Sequence, residues 1–189
     1  MRFLETIASL DGRALHVKYH QRRVDKTLGA SHLNLSEILD PPKKGYFRCR
    51  LVYDKESVKL SYHPYTLTLP KSFKIVHADT LKYHLKYEER KELHQLKADY
   101  PQFDEVIILQ NMLFTDTTIA NLAFLENGRW FTPKTALLEG TTRARLIDKG
   151  FLHVRDISLK DLENFQGFAL MNAMIGFQII QDGIITIRK

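Results

Sequence analysis

An α+β fold is predicted by the 189-residue sequence. Two observations lead there. Strand-like runs follow one another with helices interspersed, so a doubly wound parallel sheet is not expected. Asp-Gly and Asn-Gly pairs sit between strand-like runs at Asp11-Gly12, Asn127-Gly128 and Asp182-Gly183, as hairpin turns require.

The elements follow in order. FLETIASLDGRALHV reads as two strands around the Asp11-Gly12 turn. HQRRVDKTLGASH takes up a helical pattern, with Val24 and Leu28 four apart. NLSEIL is a short second helix capped by Asn34 and stopped by Pro41-Pro42. YFRCRLVYD alternates as a strand, with Phe47, Cys49, Leu51 and Tyr53 on one face and Arg48, Arg50 and Val52 on the other. VKLSYHPYTL is its partner, interrupted at Pro64. LPKSFKIVHAD reads as a crossing, which places a boundary near residue 77 between a small α+β domain (1–77) and a larger β-rich one (78–189).

The second region opens with a helix-like KYEERKELHQLKADY, ended before Pro101. DEVIILQ, IANLAFL and RWFTP read as strands, the last two joined at Asn127-Gly128. TTRARLIDKG is a helix closed by Gly150, and SLKDLENF a short helix capped by Ser158. FALMNAMIGFQIIQDGIITIRK ends as strands around Asp182-Gly183.

A hydrophobic content of 44% supports a sizeable core, and 26% charged residues is ordinary for a soluble chain. No apolar run reaches the length of a membrane helix, and the N-terminus lacks signal-peptide order, so a cytoplasmic protein is expected. The single Cys49 excludes an intramolecular disulfide framework. No HExxH pair, GxSxG elbow or P-loop is present, and no metal is expected. The net charge of +6 asks for an anionic partner. The basic residues are spread among acids, as in KYEERKELHQLK; a small anion such as a phosphate ester or a dicarboxylate fits the charge as well as nucleic acid does, and charge alone does not decide.

Several residues have both a chemical and a plain structural reading. Lys82 and Lys86 lie one helical turn apart in LKYHLKYEER; burial would make either amine nucleophilic, and exposure would leave it a solvated flank. The Gly-Thr-Thr of LLEGTTR at a helix start offers free amides and hydroxyls to a phosphate, or an ordinary N-cap. Arg23, near His20 on one helical face, suits a phosphate clamp or the surface. Arg48 and Arg50 project from the same strand face, where like charges favour an opposing anion or carboxylate. Asp116 in FTDTTIANLAF is a turn residue or an acid aimed at a cationic ring nitrogen.

The ordered series FLETI, YHQRR, KYHLKYEER, DEVIIL, FTDTTIANLAF, WFTP, LLEGTTR and LMNAMIG resembles the class IV aminotransferase family. The family comprises pyridoxal-phosphate enzymes such as branched-chain and D-amino-acid aminotransferases and 4-amino-4-deoxychorismate lyase. The most specific blocks are TDTTIANL, similar to an acid-x-x-x-x-Asn signature, and LLEGTTR, similar to a Gly-Ile-Thr-Arg turn. The resemblance implies a two-domain fold of pyridoxal-phosphate type IV with a shortened N-terminal domain. It implies pyridoxal 5′-phosphate as cofactor, Lys86 as the Schiff-base lysine in preference to Lys82, and Asp116 at the pyridine nitrogen. Arg23, Thr141 and Thr142 would hold the phosphate, and Asn172 and Ala173 would lie in a loop over cofactor and substrate. Arg48 or Arg50 is a candidate for the substrate carboxylate.

Asp116 departs from the family's usual Glu by one methylene, so the ring or the strand must shift to keep the bond. The chain begins almost at the FLETI strand, so part of the pocket is expected to be missing or supplied by a partner in a homodimer. The Asn-Ala-Met run of LMNAMIG resembles the aminodeoxychorismate lyase branch, which releases pyruvate and yields 4-aminobenzoate for folate synthesis. Transamination of an amino acid is the alternative, and a non-enzymatic binder of anions or nucleic acid a third reading.

Overall fold

In the computed structural model, which describes residues 1–29 and 33–181, the chain forms two units, each with its own sheet. The first comprises Met1–Leu67 and Leu85–Glu89. Its FLETIASL run is β1 (Phe3–Leu10), and β2 (Arg13–Ala14) folds back on it across Asp11 and Gly12, both at positive φ. Helices α1 (Val17–Leu28) and α2 (Leu35–Ile38) follow; Asn34 caps α2 by accepting the Ser36 N–H at 3.1 Å. Strand β3 (Tyr46–Tyr53) pairs antiparallel with β1, Phe3 opposite Tyr53 and Ile7 opposite Cys49, and β4 (Val58–Pro64) lies on its other edge. The order is β2-β1-β3-β4. Phe3, Ile7, Cys49, Leu51 and Tyr53 from the sheet pack with Val24 and Leu35 from the helices. Each such side chain contributes roughly 1.5–3 kcal/mol by leaving water.

The second unit comprises Thr68–His84 and Arg90–Lys189. Strands β5 (Phe73–His77) and β6 (Glu105–Gln110) run parallel with α3 (Lys91–Ala98) between them in sequence. Then come β7 (Leu113–Thr117), β8 (Asn121–Glu126), β9 (Arg129–Pro133), α4 (Thr141–Asp148) and β10 (Leu152–Arg155). A 3₁₀ turn over Leu159–Asn164, with Ser158 and Asp161 in a reciprocal cap, leads to β11 (Gly167–Asn172) and β12 (Gly176–Ile179). The sheet runs β10-β9-β8-β7-β6-β5, with β11 also on β8 and β12 on β11. Glu105–Leu109, Phe114–Thr117 and Asn121–Phe124 are buried without interruption, so these strands are covered on both faces. Phe114, Phe124, Phe165 and Phe168 form the aromatic centre of this core.

Four expectations change. The helix expected from Lys86 begins only at Lys91. Residues Leu85–Glu89 are extended along β1: Leu4 donates to the Lys86 carbonyl at 2.8 Å and Glu88 to that of Arg2 at 3.1 Å. Leu85 and Tyr87, two apart, both pack into the first unit's core, and that period of two overrides the helical charge pattern. Lys82 and Lys86 are therefore not one helical turn apart, and they fall in different units. Residues 68–77, expected with the first region, belong to the second, because β5 pairs with β6. FLHVR forms β10, which was not anticipated. A hairpin turns over 173–175 between β11 and β12, and the turn expected at Asp182-Gly183 lies outside the described residues. No helix among the described residues is long and apolar enough to cross a membrane.

Candidate active site

In the first unit the alternation of FLETI puts Glu5 on the same face as Phe3 and Ile7, which buries a carboxylate completely. Helix α1 supplies its partners. Arg23 forks onto it, Nε to Oε1 and Nη2 to Oε2, both at 2.7 Å. His20 Nδ1 meets Oε2 at 2.5 Å. Residues 20 and 23 share one helical face, so both reach one carboxylate. Burial alone would raise the Glu5 carboxyl, but the Arg23 charge and the hydrogen bonds from His20 and Arg23 outweigh it and hold it at about 2. Burial lowers the His20 imidazole against the pull of Glu5, and the charge of Lys86 lowers it further. The neutral ring then donates from Nδ1 to an ionised Glu5. Lys86 is half-buried and lies within electrostatic reach of this cluster, whereas Lys82 is exposed.

Arg50 donates to Glu88 at 2.9 Å, and the other Glu88 oxygen meets Arg2 at 2.8 Å. The opposing anion expected on this strand face is thus, for Arg50, a carboxylate of the protein itself. Arg48 is exposed.

In the second unit Asp116 ends its strand pairing opposite Asn121. Its carboxylate is buried: Oδ1 accepts from Asn121 Nδ2 at 2.6 Å and Oδ2 from the Leu138 N–H at 2.8 Å. Asn121 Nδ2 also donates to the Leu138 carbonyl at 2.8 Å, which closes a ring of contacts around the acid. Burial pushes the Asp116 carboxyl up to about 7, against the Leu138 amide, the Asn121 side chain and the Arg143 charge. Arg143 is itself buried, its Nη2 on the Pro133 carbonyl at 2.7 Å and its Nε on Thr132 Oγ1 at 3.3 Å.

Two residues beyond Leu138, Gly140 is the N-cap of α4, and no side chain caps this helix. A Cβ at Gly140 would overlap Asn121 Oδ1, so only glycine lets the Asn121 amide lie against the helix start. Thr141 and Thr142 are buried in the first turn. Uncapped amides with two hydroxyls at a helix N-terminus are a donor set for a phosphate, which favours the cradle over the plain N-cap. The loop after Asp116 is held from several sides. Thr118 N–H and Oγ1 donate to the buried Glu105, at 3.3 and 2.7 Å, and Arg90 donates to the Thr118 carbonyl. Asn172 donates to the Ile119 carbonyl at 3.1 Å and accepts from Met174 and Ile175. Asn172 therefore braces the turn that contains Ala173.

Asp116, Thr141 and Thr142 thus share one unit with Asn172 and Ala173, and Arg23 and Lys86 share the other. Four residues of these clusters had no assigned role. Asn121 is the Asn of the quoted signature, and Arg143 ends the Gly-Thr-Thr-Arg block. Glu5 was visible as the one acid on an apolar strand face. Glu105 had no comparable signal, since strand-initial acids are usually solvated.

The family model for class IV amino-transferases matches residues 55–182. The chain belongs to this family. It is thus a member of a group of pyridoxal-phosphate-dependent enzymes. It is 32% identical over 182 residues to an uncharacterized protein of Haemophilus influenzae, covering 91% of this chain and 97% of that one. A crystal structure from Haemophilus somnus, provisionally described as a 4-amino-4-deoxychorismate lyase, is 34% identical with a TM-score of 0.84, over 93% of this chain and 97% of that one. A provisionally described aminodeoxychorismate lyase of Schizosaccharomyces pombe is 32% identical over 94 residues, 48% of this chain and 41% of its own.

Proposed function

We propose that this chain is a pyridoxal-phosphate-dependent lyase that releases pyruvate from 4-amino-4-deoxychorismate and leaves 4-aminobenzoate. The observation that carries the reading is the second unit's pairing of a buried acid, Asp116, with the uncapped Gly140-Thr141-Thr142 helix start. A phosphorylated pyridine needs both an acid for its ring nitrogen and donors for its phosphate, and these residues fit it. The lyase assignment rests on the description of the Haemophilus somnus relative, matched over 97% of its length.

The cofactor's protonated ring supplies an electron sink for the pair left when a substrate C–H bond breaks. Asp116 would keep the ring nitrogen protonated. Thr141 and Thr142 would hold the phosphate with their amides and hydroxyls, and Arg23 is the guanidinium assigned to it. Lys86 Nζ would carry the aldehyde and would take the proton from the amino-bearing ring carbon of the substrate. As the ring C–O bond breaks and the ring becomes aromatic, that proton goes to the methylene of the departing enolpyruvyl group, giving pyruvate. Lys86 suits this better than Lys82, because it is half-buried and lies within electrostatic reach of His20, whereas Lys82 is exposed. Arg48, which is exposed, suits a substrate carboxylate better than Arg50, which is paired with Glu88, and Asn172 and Ala173 form the turn assigned to the cover over the ligand. A cytoplasmic homodimer serving folate synthesis completes the reading.

The test is a steady-state assay of the pyridoxal-phosphate-loaded protein with 4-amino-4-deoxychorismate and no amino acceptor. Equal amounts of pyruvate and 4-aminobenzoate are expected. Amino transfer to 2-oxoglutarate without pyruvate release would instead place the chain among the aminotransferases. Borohydride reduction followed by peptide mass spectrometry should place the phosphopyridoxyl group on Lys86; a label on Lys82 with Lys86 unmodified would refute that assignment.

A further inference from the structure

Glu105 has no role in the reaction above, yet it is a carboxyl with a relative exposure of 3% at the start of β6. It lies against the turn 118–120, which joins the strand of Asp116 to the next. Among the described residues β7 and β8 pair at a single register position, Asp116 opposite Asn121, and the adjoining β6–β7 ladder is irregular between Ile107 and Leu109. A pairing this short does not fix a turn by itself. Side chains do so instead, and every backbone N–H and C=O of these three residues meets one. Thr117 Oγ1 accepts the Ile119 and Ala120 N–H groups at 3.1 and 2.9 Å and donates to the Ala120 carbonyl at 3.2 Å. Asn172 takes the Ile119 carbonyl and Arg90 that of Thr118. Glu105 Oε1 accepts both the Thr118 N–H and the Thr118 hydroxyl, at 3.3 and 2.7 Å. The same oxygen accepts the Val106 N–H at 2.8 Å, which ties the carboxyl to its own buried strand.

We propose that Glu105 is a positioning residue for Asp116: by holding Thr118 it keeps the turn closed, so that Asn121 stays opposite the acid and donates to it. The inference rests on the reading of Asp116 as the partner of the ring nitrogen and adds a residue to it. The acid, the turn and the residue that holds it all belong to the second unit. Arg90 grips the same Thr118, but from its carbonyl and with a half-buried side chain. It offers nothing to the Thr118 N–H and hydroxyl. Thr118 is only 6% exposed, so without Glu105 those two donors lose their acceptor in an enclosed place. The turn must then open for them to reach water or another carbonyl. Asn121 begins the strand on the far side of that turn, and its Nδ2 serves both Asp116 at 2.6 Å and the Leu138 carbonyl at 2.8 Å. Once displaced, it no longer reaches both.

The experiment follows the Asp116 carboxyl carbon by NMR across pH in the cofactor-free protein, with Asp116→Asn to assign the signal. Wild type is compared with Glu105→Asp, Thr118→Val and Thr118→Ser, and urea denaturation of the same samples gives their stability. Glu105→Asp keeps a carboxyl but withdraws it by one methylene, and Thr118→Val removes the hydroxyl at nearly the same size. Each should raise the Asp116 midpoint from about 7 by about 0.5 or more, because the acid loses the Asn121 donor. Thr118→Ser restores the hydroxyl and should return the midpoint to the wild-type value. Should Glu105→Asp fail to fold, Thr118→Val decides alone. Lower stability with an unmoved midpoint would make Glu105 a purely structural acid and overturn the proposal. A midpoint that falls would overturn it as well. Uptake of pyridoxal 5′-phosphate by the wild type, read by absorbance, keeps the two readings apart. No uptake, with midpoints moved as expected, overturns the cofactor reading and leaves Glu105 as the residue that positions Asp116. Uptake with unmoved midpoints overturns only the role of Glu105.

Discussion

Glu5 and Asp116 are both buried carboxylates, one in each unit, and their protonation is driven in opposite directions. Glu5 is met directly by a guanidinium and an imidazole and is held at about 2. Asp116 is met directly by two neutral donors, with Arg143 contributing only through its field, and burial carries it to about 7. Burial is the largest influence on both. What differs is whether a formal positive charge touches the carboxylate. A fully compensated acid is a fixed part of the fold, whereas an undercompensated one is ready to gain a cationic partner, and a protonated pyridine is such a partner.

The largest expected effect tests the compensated side. Arg23→Met leaves Glu5 buried with only a neutral imidazole, and should cost about 3–5 kcal/mol of stability. Urea denaturation at neutral pH measures it. A loss below about 1 kcal/mol would mean that the pair is no more than a surface-type contact.

The next effect sets the two acids against each other by pH. The Glu5 carboxyl is depressed from its ordinary 4.5 to about 2, so its stabilisation is fully present above 4.5 and is lost as pH falls toward 2. Linkage puts this on the order of 3 kcal/mol. The Asp116 carboxyl is raised from 3.8 to about 7, so the folded protein holds a proton that the unfolded chain has released. Its contribution therefore has the opposite sign: stability declines as pH rises from 3.8 toward 7, by a comparable amount on the order of 3–4 kcal/mol. Asp116→Asn should flatten that decline in the cofactor-free protein while leaving the acid limb below 4.5 intact. A wild-type profile with no decline across this window would remove the contrast between the two acids.

How much of this was legible beforehand follows from the range of each interaction. The Asp11-Gly12 turn, the Asn34 cap, the Ser158 cap and the closure of α4 near Gly150 are local, and the residues that form them stand side by side in the sequence. The family motifs located Asp116 and the Gly-Thr-Thr turn. The region 82–90 misled, because LKYEERKELHQL carries alternating charges suited to a helix while Leu85 and Tyr87 are drawn into another unit's core. The contact between Gly140 and Asn121, and the fork between Arg23 and Glu5, join residues 19 and 18 positions apart. Neither residue type announces its partner, and only the docking of α1 or the start of α4 brings them together.

Gly140→Ala tests the undercompensated side through its neighbours. The new Cβ would collide with the Asn121 amide, and Asn121 cannot retreat without loosening Asp116 and Leu138. Overpacking of this kind costs about 1–3 kcal/mol. The informative readout is the midpoint of Asp116 titration: losing the Asn121 donor should move it further up from about 7. If the midpoint stays in place while stability falls, Asn121 is a packing residue and the acid is tuned by burial, the backbone amides and the Arg143 charge without it.

The smallest effect concerns Arg50, and it separates two roles that a static ion pair cannot distinguish. Its contact with Glu88 is 35% exposed on the arginine side, and Glu88 retains Arg2 when Arg50 is removed. Solvent screening and that second partner both argue that Arg50→Ala costs less than about 1 kcal/mol. A substrate role makes a different demand, because losing a guanidinium that binds a carboxylate raises KM far more than it lowers stability. Arg50→Ala should therefore leave both the melting curve and KM nearly unchanged, whereas Arg48→Ala, at an exposed position on the same strand, should raise KM about tenfold or more. A rise in KM confined to Arg50→Ala would reverse the assignment, and would mean that Glu88 yields its arginine to the incoming carboxylate.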